Sequence, residues 1–317
     1  MSTGAPDAGP RYLHAATVAA ALTPDGAVDA ITAALAGGFD PADDIPRVGP
    51  ATSHGQLLLM PSEVGAHAGV KVATVAPANP ERGLPRIQAA YLLFDAATLS
   101  LRAILDGTAL TSLRTPAVSV AAVRHALVRV EAPLEVVVFG AGPQALGHVD
   151  TLAAVAARPL GSVTYVVRHP DRVPASVHES GTVLGADSGQ LAAALASAHV
   201  VVCATSARSP LFTADAVGPE AIVIAVGSHE PDARELDPDL LADATVIVED
   251  VAAALREAGD VILAIADGAL SADDLVPMRD AVRAPDDLPA RRRTVFKSVG
   301  MSWEDLAVAQ AVVDRAP

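Results

Sequence analysis

Twenty of the 22 cationic Lys and Arg side chains in this chain are arginines, and only Lys71 and Lys297 are lysines. Arginine stays protonated at any accessible pH, whereas a buried lysine shifts its pKa and exchanges protons. The two retained lysines are therefore the first candidates for acid–base chemistry. Lys71 stands in Gly69-Val70-Lys71-Val72-Ala73-Thr74-Val75, which reads as a strand, and a loop from Pro77 to Pro85 follows it. Lys297 stands in Thr294-Val295-Phe296-Lys297-Ser298-Val299-Gly300, just ahead of the last helical stretch.

A second pattern points to a bound dinucleotide. Val136-Val137-Val138-Phe139 reads as a buried strand, and Gly140-Ala141-Gly142-Pro143-Gln144-Ala145 as a glycine turn opening a helix. Gly140 permits the tight turn, and Gly142 lets the backbone approach a pyrophosphate at the helix N-terminus. Ala145 takes the place where a third glycine packs helix on strand. An NAD-selective site expects an acid at the end of the next strand. Here that strand ends in Val167-Arg168-His169-Pro170-Asp171-Arg172. The cations Arg168, His169 and Arg172 suit a 2′-phosphate, which predicts NADPH in preference to NADH, with Asp171 as the opposing signal. Thr205 and Ser206 follow a third strand, where their hydroxyls either line the cofactor cleft or cap the next element.

These residues need two kinds of scaffold. A helix is expected from Pro24 to Leu35, ended by Gly37-Gly38. Short apolar runs at 56–60, 70–75, 89–95 and 101–106, separated by Gly, Pro and Asn, predict a compact, largely antiparallel sheet. A helix is expected from about Pro116 to Val128. After Pro133 the rhythm becomes strand, loop, helix, with strands at 135–139, 162–167, 199–204, 221–226 and 245–248 and helices at 144–157 and 189–198. That rhythm predicts a parallel, doubly wound α/β sheet of the Rossmann type. A last helix from Trp303 to Arg315 is expected to return to the first domain. The division predicted is 1–117 completed by 301–317, with 118–300 as the dinucleotide domain.

Composition excludes several classes. A formal charge of −15 opposes nucleic-acid binding, which needs cations to displace counterions. Arg291-Arg292-Arg293 reads as a solvated loop or a partner contact rather than a nucleic-acid site. No apolar stretch is long enough to span a bilayer. The opening residues carry no basic and apolar leader pattern. The single Cys203 reads as inert core, so a cytoplasmic location is expected. Neither a metal-ligand spacing nor a repeat is visible.

The ordered motifs resemble the ornithine cyclodeaminase/mu-crystallin family of NAD(P)-dependent enzymes. The resemblance is carried by Ile45-Pro46-Arg47, Leu59-Met60-Pro61, Lys71 with Asn79-Pro80 and Gly83-Leu84-Pro85, and Leu92-Leu93-Phe94-Asp95. It continues through Leu105-Asp106-Gly107, Leu110-Thr111-Ser112-Leu113-Arg114-Thr115, the Gly140 turn, and Phe296-Lys297-Ser298-Val299-Gly300 leading to Glu304-Asp305-Leu306. These motifs run from about residue 45 to the C-terminus. The resemblance implies a homodimer formed by the sheet domain. It also implies that Arg47, Lys71 and Arg114 bind a small imino or amino acid beside the nicotinamide. Thr115, Arg86, Val226 and Ser298 are further candidate cofactor residues, and for Arg86 a substrate contact or a changed substrate pocket is the alternative. A lysine beside arginines has a depressed pKa, and arginine forks suit a carboxylate.

Two departures narrow the reading. Val226-Gly227-Ser228-His229-Glu230-Pro231 carries Ser228 and His229 where ornithine cyclodeaminases have an aspartate for the distal amine. Arg86-Ile87 stands where relatives often have Thr-His. The resemblance is thus nearer the ketimine-reductase side, with a reductase of imino acids as the expected activity. An amino-acid dehydrogenase, a true cyclodeaminase, and a non-catalytic NADPH-binding protein are the alternatives.

Overall fold

The structure is a computed structural model that describes residues 9–156, 159–289 and 291–317. Its contacts form two compact units. One holds the chain up to Ala34, Asp43–Arg114 and Met301–Pro317, and the other Leu35–Ala42 and Thr115–Gly300. The division falls inside a helix, between Arg114 and Thr115, rather than at residue 117. Residues 35–42, expected with the first domain, group with the second. Arg283 explains part of this, because its guanidinium donates to the carbonyls of Leu35 and Phe39.

The first unit begins with β1 (Arg11–Leu13), α1 (Ala15–Ala21) and α2 (Pro24–Ala36). Its sheet adds β2 (Ala51–Thr52), β3 (Gly55–Val64), β4 (His67–Val75), β5 (Ile87–Asp95) and β6 (Leu101–Asp106). The order is β1-β6-β5-β4-β3-β2. Every pairing is antiparallel except β1 with β6. Side chains alternate between faces. One face carries Met60, Lys71, Tyr91 and Leu105 in a row of paired residues, all buried.

Helix α3 (Gly107–Leu127) follows β6 directly. It starts nine residues before the expected Pro116, which instead lies inside it. Asp106 sets the start, because its Oδ1 accepts from the backbone N–H groups of Thr108 and Ala109, which would otherwise lack partners.

The second unit is an eight-stranded parallel sheet. Its strands are β7 (Leu134–Phe139), β8 (Leu160–Val167), β9 (Thr182–Gly185), β10 (Val200–Cys203), β11 (Ile222–Ala225), β12 (Ala244–Val248), β13 (Leu275–Pro277) and β14 (Arg293–Lys297). The order is β13-β12-β14-β11-β10-β7-β8-β9. The chain moves one way from β7 to β9 and then crosses to β10 on the other side of β7. That reversal opens a crevice at the carboxyl ends of β7 and β10, where ligands of such sheets bind. Helices α4 (Pro143–Val155), α5 (Ala175–Ser180), α6 (Leu191–Ser197), α7 (Pro238–Ala242), α8 (Val251–Glu257), α9 (Gly259–Ala266) and α10 (Met278–Arg283) connect the strands. Residues 136–139, 200–203 and 222–225 are buried throughout, as parallel strands covered on both faces must be. Strands β9, β13 and β14 are additions to the expected set. Ala157, the expected end of the helix from Gln144, lies outside the described residues.

Helix α11 (Ser302–Arg315) returns to the first unit and packs on β3, β4 and β5. Trp303, Leu306, Val308 and Val312 are fully buried there.

Candidate functional site

Lys71 lies on β4, on the face covered by α11, and is only 3 % exposed. An ammonium in such a place needs partners. Asp305 supplies one at 2.6 Å from the first turn of α11, and Thr111 Oγ1 on α3 lies 3.4 Å away. Arg114, one turn along α3 from Thr111, is buried as well. Its Nη1 meets Glu304 at 2.6 Å, and its Nε lies 3.4 Å from the other oxygen of Asp305. Two cations and two carboxylates thus share a dry cluster. Burial, reinforced by the Arg114 charge, pulls the Lys71 ammonium from 10.5 down to about 8, against the opposing pull of Asp305. A group poised there both gives and takes a proton near neutral pH.

Tyr91 closes the cluster from β5. Its hydroxyl is buried without a hydrogen-bond partner among the described residues. Burial, then the charges of Asp305 and Asp44, push its pKa well above the ordinary value. Gly69 is required beneath it, since a Cβ there would collide with the hydroxyl. Asp44 accepts from Ser62 and from the Trp303 backbone N–H, tying the segment before Arg47 to the start of α11. Arg47 itself is half-buried. It precedes Val48, whose backbone pairs with Leu59 on β3. Arg86 is exposed in the loop before β5.

The second unit holds the glycine turn. Gly140 has φ +113°, and a Cβ there would lie 2.6 Å from the Ala204 carbonyl oxygen. Only glycine fits that close approach. Gly142 caps α4 with extended backbone and no side-chain cap, and the space beside its Cα is open. Pro143 takes the first helical turn, Gln144 is half-buried, and Ala145 is fully buried where α4 meets the sheet. The helix N-terminus therefore presents backbone N–H groups beside an unobstructed turn, which fits a pyrophosphate. Ala141, in the turn, is half-buried.

Arg168, His169 and Arg172 are exposed beyond the end of β8, and so is Asp171. Among the described residues Asp171 forms no ion pair with Arg172. Thr205 and Ser206 follow β10. Ser206 is exposed, and Thr205 donates its hydroxyl and backbone N–H to Glu235 Oε1 while its hydroxyl oxygen accepts the Ala207 N–H, closing the turn after β10. Val226 lies just past β11, with its N–H on the Cys203 carbonyl. Thr115 is buried on α3. Ser298 is buried, and its hydroxyl is committed to Glu249.

Lys297 differs from the expectation of a second acid–base lysine. It ends β14, is 1 % exposed, and its ammonium binds Asp260 at 3.0 Å and the Ser228 carbonyl. Asp260 also accepts the N–H groups of Glu235 and Leu236, and Glu235 accepts that of Gly227. The network fixes the loops after β10 and β11. Its acceptors surround the ammonium, so Lys297 is a structural cross-link.

Sequence reasoning gave no role to Glu304, Asp305, Thr111, Tyr91 or Glu235. A signal was present for the first two. Adjacent carboxylates between Trp303 and Leu306, on a helix that buries both apolar neighbours, are carried into the core and require cations there.

A glycine-turn dinucleotide sheet and a lysine–arginine sheet in one chain define a class of nicotinamide-dependent enzymes with a separate substrate sheet. The chain belongs to the ornithine cyclodeaminase/mu-crystallin family, whose model matches residues 12–317. The match begins well before residue 45 and takes in the N-terminal helices. Ketimine reductase mu-crystallin of Mus musculus is 31 % identical over 271 residues, covering 84 % of this chain and 82 % of that protein. Delta(1)-pyrroline-2-carboxylate reductase 2 of Burkholderia ambifaria is 30 % identical over 280 residues, with the same two coverages. Among solved structures, the iminosuccinate reductase of Paracoccus denitrificans in complex with NAD+ superposes with a TM-score of 0.84. It is 26 % identical and covers 97 % of this chain and 96 % of that one.

Proposed function

We propose that this protein reduces small imino acids with a nicotinamide cofactor. Arg114 and Arg47 receive the substrate carboxylate, and Lys71 gives its proton to the imine nitrogen. When bound, the nicotinamide supplies the hydride that reaches the imine carbon, so that C=N becomes CH–NH. The observation that carries this reading is the buried Lys71, held beside Arg114 with its pKa drawn to about 8. A ligand-binding role alone needs no titratable group there. Relatives named ketimine reductase and pyrroline-2-carboxylate reductase support the substrate class.

A true ornithine cyclodeaminase is disfavoured by the segment after β11. Ser228 is buried there with its hydroxyl on the Ala233 carbonyl, where the cyclodeaminases place a carboxylate. NADPH is the preferred cofactor in this reading, supported by the exposed Arg168 and Arg172; NADH is accepted as well. The homodimer is also part of it. The sheet face opposite Lys71 carries Leu59, Pro61, Val70, Val72, Leu92 and Ile104, all only half-covered within the single chain. An apolar sheet face of that kind calls for a partner surface, and light scattering measures it. Nucleic acid and membranes are not partners in this reading, and a cytoplasmic location accompanies it.

The decisive experiment follows oxidation of NADPH and NADH with pyrroline-2-carboxylate, piperideine-2-carboxylate and mixtures of 2-oxo acid and amine. Ammonia release from ornithine is measured in parallel. Turnover of a cyclic imine without ammonia from ornithine is expected. Cofactor binding with no turnover of any substrate would overturn the reading in favour of a binding protein.

A further inference from the structure

The proposed chemistry uses Lys71 and Arg114 but neither of the carboxylates that grip them. Asp305 is fully buried, yet among the described residues it accepts from no backbone donor and caps no helix. One of its oxygens is 2.6 Å from Lys71 Nζ and the other 3.4 Å from Arg114 Nε. Glu304, its neighbour, holds Arg114 Nη1 at 2.6 Å and accepts the Met301 N–H with its other oxygen. The two acids thus divide the two cations, and only Asp305 touches both.

We propose that Asp305 is a positioning residue for imine reduction, fixing the Lys71 ammonium and keeping it charged, while Glu304 fixes the Arg114 fork for the substrate carboxylate. The inference rests on Lys71 being the acid.

The physical argument is a balance of charges. Lys71 is faced by Asp305 and Glu304 from α11, by Arg114 from α3, and by Tyr91 from β5, with Asp44 beyond Tyr91. Burial and Arg114 favour the neutral amine, and the carboxylates favour the ammonium. Without Asp305 the Arg114 charge outweighs that of Glu304 at Lys71, and a buried ammonium without a carboxylate partner gives up its proton more readily. Thr111 cannot replace the carboxylate. Its hydroxyl hydrogen is donated to the Gly107 carbonyl, so it offers Lys71 only a neutral oxygen at 3.4 Å.

The test is the pH dependence of kcat/KM for imine reduction in three variants, with folding checked by thermal melting and cofactor binding by NADPH fluorescence. Asp305→Asn is expected to move the alkaline limb to lower pH by at least about one unit. Glu304→Gln is expected to move the limb less than Asp305→Asn does, since its charge acts on Lys71 more weakly, and to raise KM for the imino acid several-fold. Asp305→Glu retains the charge but displaces it, so the limb stays while kcat falls about ten-fold or more. A merely structural acid would shift no limb, and an unmoved limb in folded Asp305→Asn overturns the proposal. Should that variant fail to fold, wild-type kcat in Asp305→Glu overturns it instead. Lys71→Ala separates the two readings. Turnover there means that the acid assignment has failed, whereas loss of turnover together with an unmoved Asp305→Asn limb means that only the Asp305 inference has.

Discussion

The two lysines of this chain sit in two buried ion networks that look alike at first and differ in what surrounds them. Lys71 and Lys297 are both almost fully covered, and each binds an aspartate distant in sequence. Around Lys297 the groups are acceptors: Asp260, the Ser228 carbonyl, and Glu235 nearby. Around Lys71 a second cation, Arg114, lies on the same carboxylate. A buried lysine with its carboxylate is thus not evidence of catalysis, since a cross-link has the same parts. The competing cation distinguishes the two, because it adds to burial in drawing the Lys71 ammonium down to about 8.

The sharpest way to break this comparison is to remove each lysine in turn. Lys71→Ala should lower kcat by roughly two to four orders of magnitude, the usual contribution of a positioned general acid, with NADPH affinity within a few-fold of wild type. Lys71→Arg should be almost as inactive, since arginine holds its proton. In the wild type, kcat/KM for reduction should fall as pH rises through about 8, because the donor is then lost. Near-normal kcat in Lys71→Ala would mean that Lys71, like Lys297, is a structural cross-link.

Lys297→Met should act on stability. Removing one partner leaves Asp260 buried and uncompensated, a loss of about 3–5 kcal/mol for pairs of this kind. A lowered Tm, with kcat per folded molecule within a few-fold of wild type, is expected. A large fall in kcat at unchanged Tm would mean that Lys297 belongs to the chemistry.

The difference between the networks was only partly legible in the sequence. The arginine bias exposed both lysines, and the segment around Lys71 read as a strand. The turn at Gly140 was readable because its signal is local: a buried strand, then a glycine whose φ of +113° a side chain disfavours. The partners were not readable in the same way. Asp305 lies 234 residues from Lys71, and Glu304 190 from Arg114, and acids in a first helical turn ordinarily serve the helix dipole. Strand β14 escaped because its place between β11 and β12 is a crossover that no local pattern signals. Helix α3 was cut short because Pro116 resembles a helix start, although Asp106 was the actual cap.

A third buried base tests whether a cation without a carboxylate is tolerated at all. His148 on α4 is fully buried, with Nδ1 2.7 Å from the Gln144 carbonyl and Nε2 2.9 Å from the Ser119 hydroxyl. A neutral ring donates at Nδ1 to Gln144, and its Nε2 accepts from Ser119 when that hydroxyl turns from its other acceptor, the Thr115 carbonyl. Burial pulls its pKa from 6.5 to about 4. The folded state therefore binds fewer protons than the unfolded one between these values. Its stability is complete above pH 6.5 and is lost as pH falls toward 4, by up to about 3 kcal/mol. Wild type should lose more Tm between pH 7 and pH 5 than His148→Gln. Equal losses would show that this ring does not control the acid sensitivity of the second unit.

The smallest effect should come from the exposed cations of the same unit, which resemble neither network. Lys297 is neutralised by its own fold, whereas Arg168 and Arg172 project from the end of β8 with no ion pair among the described residues. A charge left unmatched on a net acidic chain can serve a ligand. The dianionic 2′-phosphate of NADPH is the ligand that reaches this strand end when a dinucleotide lies on the Gly140 turn. Asp171 opposes the assignment by its charge, but it makes no ion pair with Arg172 and so does not cancel the cations by pairing. Wild type should show a higher kcat/KM with NADPH than with NADH. Arg168→Ala should lower the NADPH value about ten-fold, equivalent to about 1.4 kcal/mol, and leave the NADH value nearly unchanged. Equal cofactor preference in the wild type, or unaltered selectivity in the variant, would show that the phosphate is read elsewhere. In that case the exposed arginines of this loop would be surface charges only.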